Sequence, residues 1–322
     1  MGIRVLAVFV LLLEAGRALA GPFDQPWNEG AEDCKAAAGP PIEVRAYDAR
    51  SYILRQNLCA TFEAPFLFLL IGTSRALLID TGDIADPEAM PLAATVLGLL
   101  PGNGADRLPL LVVHTHRHLD HRRGDAQFAA LPDVELVGYD LDSVKKFYGF
   151  TAWPEGVAEI DLGGRLIEAL PTPGHNEAEV SFYDRATGLF FTGDFLLPAR
   201  LLIEDKAADL ASVKRAEAFL ADRPVTAILG AHIEMDRSGA LYSWESLYHP
   251  DEHGLAMSKA DLAALAEALP HFNGFYSEVG PMVLMDGNRI ALCALIGVLI
   301  LLAVAIYGLV RFLRRRRVRT LV

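Results

Sequence analysis

Residues 112–121 read VVHTHRHLDH, placing four of the chain's nine histidines and one aspartate directly after an apolar run. His116 and His118 are two apart, so in extended backbone their side chains leave the same face. Asp120 and His121 are adjacent and point apart unless the chain turns, in which case they address a second position. That spacing suits two metal ions side by side better than one. Imidazole nitrogens and carboxylate oxygens fit zinc, with manganese or iron as alternatives. Three more apolar runs end in the same residue types: PTPGH at His175, FFTGD at Asp194 and ILGAH at His232. Five histidines and two aspartates therefore fall just beyond strand ends, where open catalytic sites are commonly built.

The elements that must position them alternate between strand-like and helix-like runs. FLFLLIG (66–72) and RALLID (75–80) read as a hairpin, and LPLLVV (108–113) as a strand buried on both faces. Further strands are expected over 134–138, 165–170, 180–184, 189–194 and 225–230. Helices are expected around 86–99, 124–131, 141–148 and 207–222. Ser258 to Asp261 has the form of a capping box opening one more helix that ends before Pro270. Sheets with helices outside them make an α+β sandwich. Residues 21–42, rich in Gly, Pro and Ala, read as a mobile leader.

THRHLDH, PTPGH, TGD and GAH, with IDTG at 79–82, resemble in order and spacing the five motifs of the metallo-β-lactamase superfamily. The resemblance runs from about residue 43 to 236. It implies a four-layer αββα sandwich with two metals at one edge. By position it implies that His116, His118 and His175 hold the first metal. Asp120, His121 and His232 would hold the second, and Asp194 would bridge. Asp80 matches a buried aspartate supporting the ligand loops. His114 matches no ligand position and reads as a packed or supporting histidine. Such a set would let two cations share an acidified water as a bridging hydroxide. Asp120 would orient that nucleophile and relay its proton.

The chain ends point to a membrane. Arg4, the apolar run 5–13 and Ala18-Leu19-Ala20 have the three parts of a secretory signal, giving a signal peptide over 1–20. Residues 290–310 carry no charge and suffice to cross a bilayer as a transmembrane helix; RFLRRRRVR then follows, within a basic tail over 311–322 that marks the cytoplasmic side. The globular region would thus be extracytoplasmic, and the absence of an Asn-x-Ser/Thr sequon leans toward a bacterial periplasm. Despite those tail arginines the formal net charge is −12, a poor match for nucleic acid. Cys34 and Cys59 would face an oxidising compartment, although nothing in the sequence brings them together. Cys293 lies in the apolar helix.

Asp194 is present and no cysteine is near the histidines. The set therefore resembles the glyoxalase II, lactonase and phosphodiesterase branch more than the antibiotic-resistance enzymes. Glyoxalase II uses a basic C-terminal domain for glutathione, whereas residues 237–289 hold only Arg237, Lys259 and Arg289 as strong cations. The expectation is a membrane-anchored dimetal hydrolase of a small ester, thioester, lactone or lactam. Its rivals are a mononuclear iron persulfide dioxygenase and a metal-binding sensor without turnover. Residues 237–289 form an appendage after the sandwich, placed to act as a lid. In the stretch after His232, Tyr242, Trp244 and Tyr248 either wall the substrate site or pack toward the membrane helix. His249 and His253 read as a solvated loop rather than a third metal site, because Pro250 disfavours one helix spanning both. Arg122 and Arg123 either meet an anionic substrate or open a surface helix.

Overall fold

A computed structural model describes residues 23, 25–36 and 39–319. The expected signal peptide lies outside the described residues. One sheet runs β1 (Ile42–Asp48), β2 (Ser51–Gln56), β3 (Phe66–Ile71), β4 (Ala76–Ile79), β5 (Leu110–Val113) and β6 (Val134–Leu136), in that spatial order. The second takes β7 (Ala158–Asp161), β8 (Leu166–Pro171), β9 (Val180–Asp184) and β10 (Leu189–Gly193). The chain then leaves through β11 (Arg200–Leu202) and returns with β12 (Ala227–Gly230) and β13 (Ala256–Met257), giving the order β13-β12-β10-β9-β8-β7.

Period-two alternation explains the layers. Phe66, Phe68 and Leu70 point between the sheets, where they meet Val180, Phe182, Leu189 and Phe191. The intervening Leu67, Leu69 and Ile71 point outward beneath α1 (Leu92–Leu99). Each fully buried Leu or Phe contributes about 2 kcal/mol of transfer free energy. The second sheet's outer face is covered by α4 (Lys206–Leu220) and α5 (Lys259–Ala268). The short α2 (Leu119–Arg122) sits at the histidine stretch, and α3 (Leu141–Tyr148) closes the inter-sheet core through Val144.

The hairpin, the strands and α3, α4 and α5 fall where the periodicity places them, and Ser258 and Asp261 form the capping box reciprocally. Helix α1 starts late, at Leu92, because Pro91 disfavours helical backbone in the residue before it. Residues 124–131 are not an α-helix. They begin as a 3-10 turn over Arg123–Gln127, and Gly124 there lies so close that a Cβ would stand 2.2 Å from the Thr81 carbonyl oxygen.

Two expectations about boundaries need correcting. The described part of the leader is not free: Trp27 is buried against Phe66, Gly30 pairs with Tyr248, and Cys34 is disulfide-bonded to Cys59. Residues 237–289, expected as an appendage placed to act as a lid, supply cleft residues from Tyr242 to His249 and are otherwise built into the sheets. β13 extends the second sheet, and β14 (Tyr276–Val279) and β15 (Met282–Met285) join β11 in a third, with β15 parallel to β11. The apolar face made by α4, Leu201 and Ile203 needs that cover. Helix α6 (Gly287–Arg319) follows directly. Over Gly287–Arg311 it is long and apolar enough to cross a membrane, and its most apolar stretch, of mean hydropathy 3.0, is not buried against the domain.

On α4, Asp209 shares the inward stripe of Val213, Ala216 and Leu220, and it is buried. Burial first, then the nearby Asp205 charge, pushes its carboxyl up to about 8. The native chain therefore keeps a proton that the unfolded chain loses near pH 4, so stability falls as pH rises from about 4 to about 8. Asp209→Asn is expected to raise stability by about 2 kcal/mol at pH 9 and by little near pH 4. Thermal unfolding of the full-length chain in detergent at both pH values checks this.

Candidate metal centre

Parallel pairing gathers the polar residues at one edge. β4 runs parallel to β5 and β10 runs parallel to β12, so Asp80, the histidine stretch, Asp194 and His232 all leave carboxyl ends of strands. β8 delivers His175 to the same place. Gly193 makes the approach of the two sheets feasible. It adopts φ +56, and a Cβ there would stand 2.6 Å from the Thr115 Cβ.

Seven side chains converge in two groups. In the first, His118 Nδ1 stands 2.9 Å from His116 Nε2 and 3.0 Å from His175 Nε2. In the second, Asp120 Oδ2 lies 3.1 Å from His121 Nε2 and 3.3 Å from His232 Nε2. Asp194 stands between them. Its Oδ1 is 3.5 Å from both His121 and His232, while its Oδ2 is 3.6 Å from His175 and 4.0 Å from His116. Each group offers ligand atoms within 4.8 Å of one another, a spacing able to hold a cation.

The outer ring atoms are tied down so that the inner ones face the centre. His175 Nδ1 donates to the Leu202 carbonyl at 2.9 Å and His232 Nδ1 to the Glu63 carbonyl at 2.7 Å. His121 Nδ1 lies 2.9 Å from Asp80 Oδ2. Asp80 also accepts from the Thr115 backbone N–H and hydroxyl, and its backbone is left-handed at φ +66. With a cation in place these bonds would leave each Nε2 a lone pair directed inward, the arrangement metal-ligating histidines use. Asp194 Oδ1 is buried without a hydrogen-bond partner. A buried carboxylate oxygen facing two imidazole nitrogens fits a cation well.

The charges divide the same way. Burial holds His116, His118 and His175 below the ordinary imidazole range, so the first group is neutral and ready to donate lone pairs. In the second group burial is overcome by the two aspartates. Asp194 and Asp120 raise His232 to about 10, and Asp120 and Asp194 raise His121. Burial likewise opposes the charge of Asp120 and Asp194, yet the facing histidines hold both well below the usual carboxylate range. Two part-buried carboxylates thus demand positive charge, supplied here by protons that a divalent ion would displace.

An open cleft of about 200 Å³ leads to these residues. Tyr242 and Trp244 line it, joined by Phe62, Glu63, Arg200 and His249. Tyr248 does not; it pairs with Gly30 instead. His249 is buried rather than solvated, stacked on Tyr242 at 4.1 Å and 3.1 Å from Glu252, while His253 bonds the Gly254 carbonyl elsewhere. His114 turns away from the centre to Asp125, at 2.8 Å. Arg122 stacks over Tyr139 and Arg123 pairs with Asp83, so neither reaches the cleft. Sequence reasoning missed Thr115 and the cleft residues Phe62, Glu63 and Arg200. Only Thr115 left a signal, since alternation about His114 and His116 aims it at the opposite face.

A family model described as metallo-beta-lactamase superfamily matches residues 61–246. The chain is 30% identical to a hydroxyacylglutathione hydrolase of Aeromonas hydrophila, over 60% of this chain and 70% of that protein. It is 26% identical to an acyl-coenzyme A thioesterase of Gallus gallus, over 56% of this chain and 77% of that one. Among solved structures, a metallo-beta-lactamase from Pontibacter korlensis aligns with 72% of this chain and all of its own, at 15% identity and a TM-score of 0.49.

Proposed function

The chain belongs to the metallo-β-lactamase superfamily and is a metal-dependent hydrolase; on that premise we propose that it uses two divalent cations, zinc by preference, to cleave a thioester or related small acyl ester, lactone or lactam. The observation that carries this is the division of Asp194: one oxygen faces each group of ligands. His116, His118 and His175 would hold one cation and Asp120, His121 and His232 the other, with Asp194 shared. Bound cations supply Lewis acidity, acidifying a water and polarising the scissile carbonyl. The protein's own part is orientation and proton handling. Asp120, at the cleft beside His121 and His232, would accept the water's proton and pass it to the leaving sulfur, oxygen or nitrogen as the acyl bond breaks.

One relative named above is an acyl-coenzyme A thioesterase and the other a hydroxyacylglutathione hydrolase, which puts thioesters first. Glutathione itself is a weaker fit. Arg200 is the one Lys or Arg among the residues described as lining the cleft, and it is engaged by Glu234 at 3.2 Å. We place residues 43–236 and the elements after them outside the cytoplasm, behind a signal at 1–20 and held by the helix over 290–310. The disulfide and the arginines that follow the helix support that placement.

Elemental analysis of the purified chain is expected to give two divalent cations. Dialysis against a chelator should lower thioester turnover by about a hundredfold or more, with zinc restoring it. One iron per chain with oxygen consumption would overturn this reading in favour of a dioxygenase. Two cations with no turnover on any acyl substrate would leave a sensor.

A further inference from the structure

The small third sheet joins the candidate centre to the membrane-spanning candidate. In one row across it, Leu202 pairs with Met285 and Met285 with Tyr276. Leu202 lines the cleft, and its carbonyl accepts from His175 Nδ1. Met285 stands two residues before α6 begins at Gly287. Adjacent strands lie about 4.8 Å apart and a residue advances the chain by about 3.3 Å, so the centre is within about 20 Å of the helix's first turn. The apolar segment Gly287–Arg311 has 25 residues, which as helix reach about 37 Å, more than a hydrocarbon core of about 30 Å. Its first turn therefore belongs at headgroup level, and the cleft lies close above it.

Exposed aromatic residues collect on the same side. Phe275 and Tyr276 are 42% and 44% exposed, and Arg289 of the first helical turn lies over the Phe275 ring at 5.8 Å. Trp244 at the cleft is 59% exposed, with the Arg200 guanidinium 5.3 Å from its ring, and Leu247 follows it in the chain at 40%. Arg200 pairs with Val283 of β15, and β15 pairs with β14, which carries Tyr276; this sheet links the cleft rim to the strand beside the helix. Half-exposed Trp and Tyr beside an apolar helix are the composition of a membrane interface. The cleft's carboxylates, Glu63, Glu234 and Glu245, oppose a strongly anionic ligand, while Phe62, Leu197 and Trp244 offer apolar wall.

We propose that the cleft mouth rests at the bilayer surface and takes its substrate from the lipid phase: an ester or thioester with a long acyl chain. The chain lies along Phe62, Leu197 and Trp244, and water is added across the acyl bond, its hydroxyl passing to the acyl carbon and its proton to the leaving group. This rests on the hydrolase reading above for the chemistry, but the position of the mouth does not depend on it.

The test uses the full chain in phosphatidylcholine vesicles with brominated acyl chains, which quench only nearby indoles. The chain's three tryptophans include Trp27, buried in the core, and Trp244 at the mouth. The expected result is quenching that Trp244→Phe largely removes, in chains that float with the vesicles. Unquenched Trp244 in floating chains overturns the proposal, and so does failure to float. Neither outcome touches metal content, which tests the hydrolase reading separately. In kinetics, a vesicle-borne long-chain thioester should be preferred over its acetyl counterpart by about tenfold or more in kcat/KM. Dilution with inert lipid should slow only the long-chain reaction, and equal rates for the two would overturn the assigned substrate class.

Discussion

Asp194→Asn is expected to lower turnover about a thousandfold and to leave at most one tightly held cation per chain. Among the described residues, Asp194 is the one side chain whose two oxygens face different groups of histidines. An amide of the same shape keeps one acceptor oxygen, presents an NH2 to the other group, and removes a negative charge from between imidazoles. If two cations share Asp194 as proposed, the acceptor loss would remove their common anchor and the charge loss would weaken the attraction of both. A thousandfold corresponds to about 4 kcal/mol at the barrier. Because Asp194 sits at the sheet edge beyond β10, the sandwich should remain folded. Elemental analysis and steady-state kinetics on the same preparation, with circular dichroism as the folding control, check this. Two retained cations with parental turnover would remove Asp194 from the centre.

The second large effect concerns stability. Glu252→Ala should cost about 3–5 kcal/mol, because it leaves the Arg55 guanidinium buried and unpaired. The pair is bidentate, at 2.6 Å for each bond, and both side chains are nearly inaccessible. It joins β2 to the loop over the cleft, 197 residues later in the chain. Glu252 also holds His249, which stacks on Tyr242 in the cleft wall, so the variant should raise KM besides lowering the unfolding temperature. Replacing both partners by apolar residues of similar volume, Arg55→Met with Glu252→Leu, is expected to recover most of the stability but not the KM. Recovery of both would show that the loop needs filling rather than a charge pair.

The candidate ligands were legible as a set because the segments that carry them directly follow apolar strands. VVHTHRHLDH, PTPGH, FFTGD and ILGAH carry both the position and the chemistry within ten residues. The inter-sheet core was legible in the same way, from the alternation of FLFLLI. The cleft walls were not. Tyr242 and Trp244 face the site while Tyr248 pairs with the leader, a distinction set by contacts with residues 30 and 252 that no local pattern encodes. The leader failed for a related reason. Its composition reads as a linker, yet Trp27 fills a gap beside Phe66 and Cys34 meets Cys59. β11, β14 and β15 are three or four residues long and carry little periodicity of their own; their pairing is dictated by the apolar face they cover.

The parallel pairing of β15 with β11 governs where this chain can be cut to free it from its apolar helix. A version ending near 236, at the close of the recognisable motifs, would lose β13, α5 and β15 together. Leu201 and the outer face of α4 would be stripped bare, and the strand whose Leu202 carbonyl steadies His175 would lose its neighbour. Ending after Met285 keeps every strand partner and removes only the helix. The last residue that the sandwich needs thus stands two positions before the helix that is long and apolar enough to cross a membrane, with almost no spare chain between them.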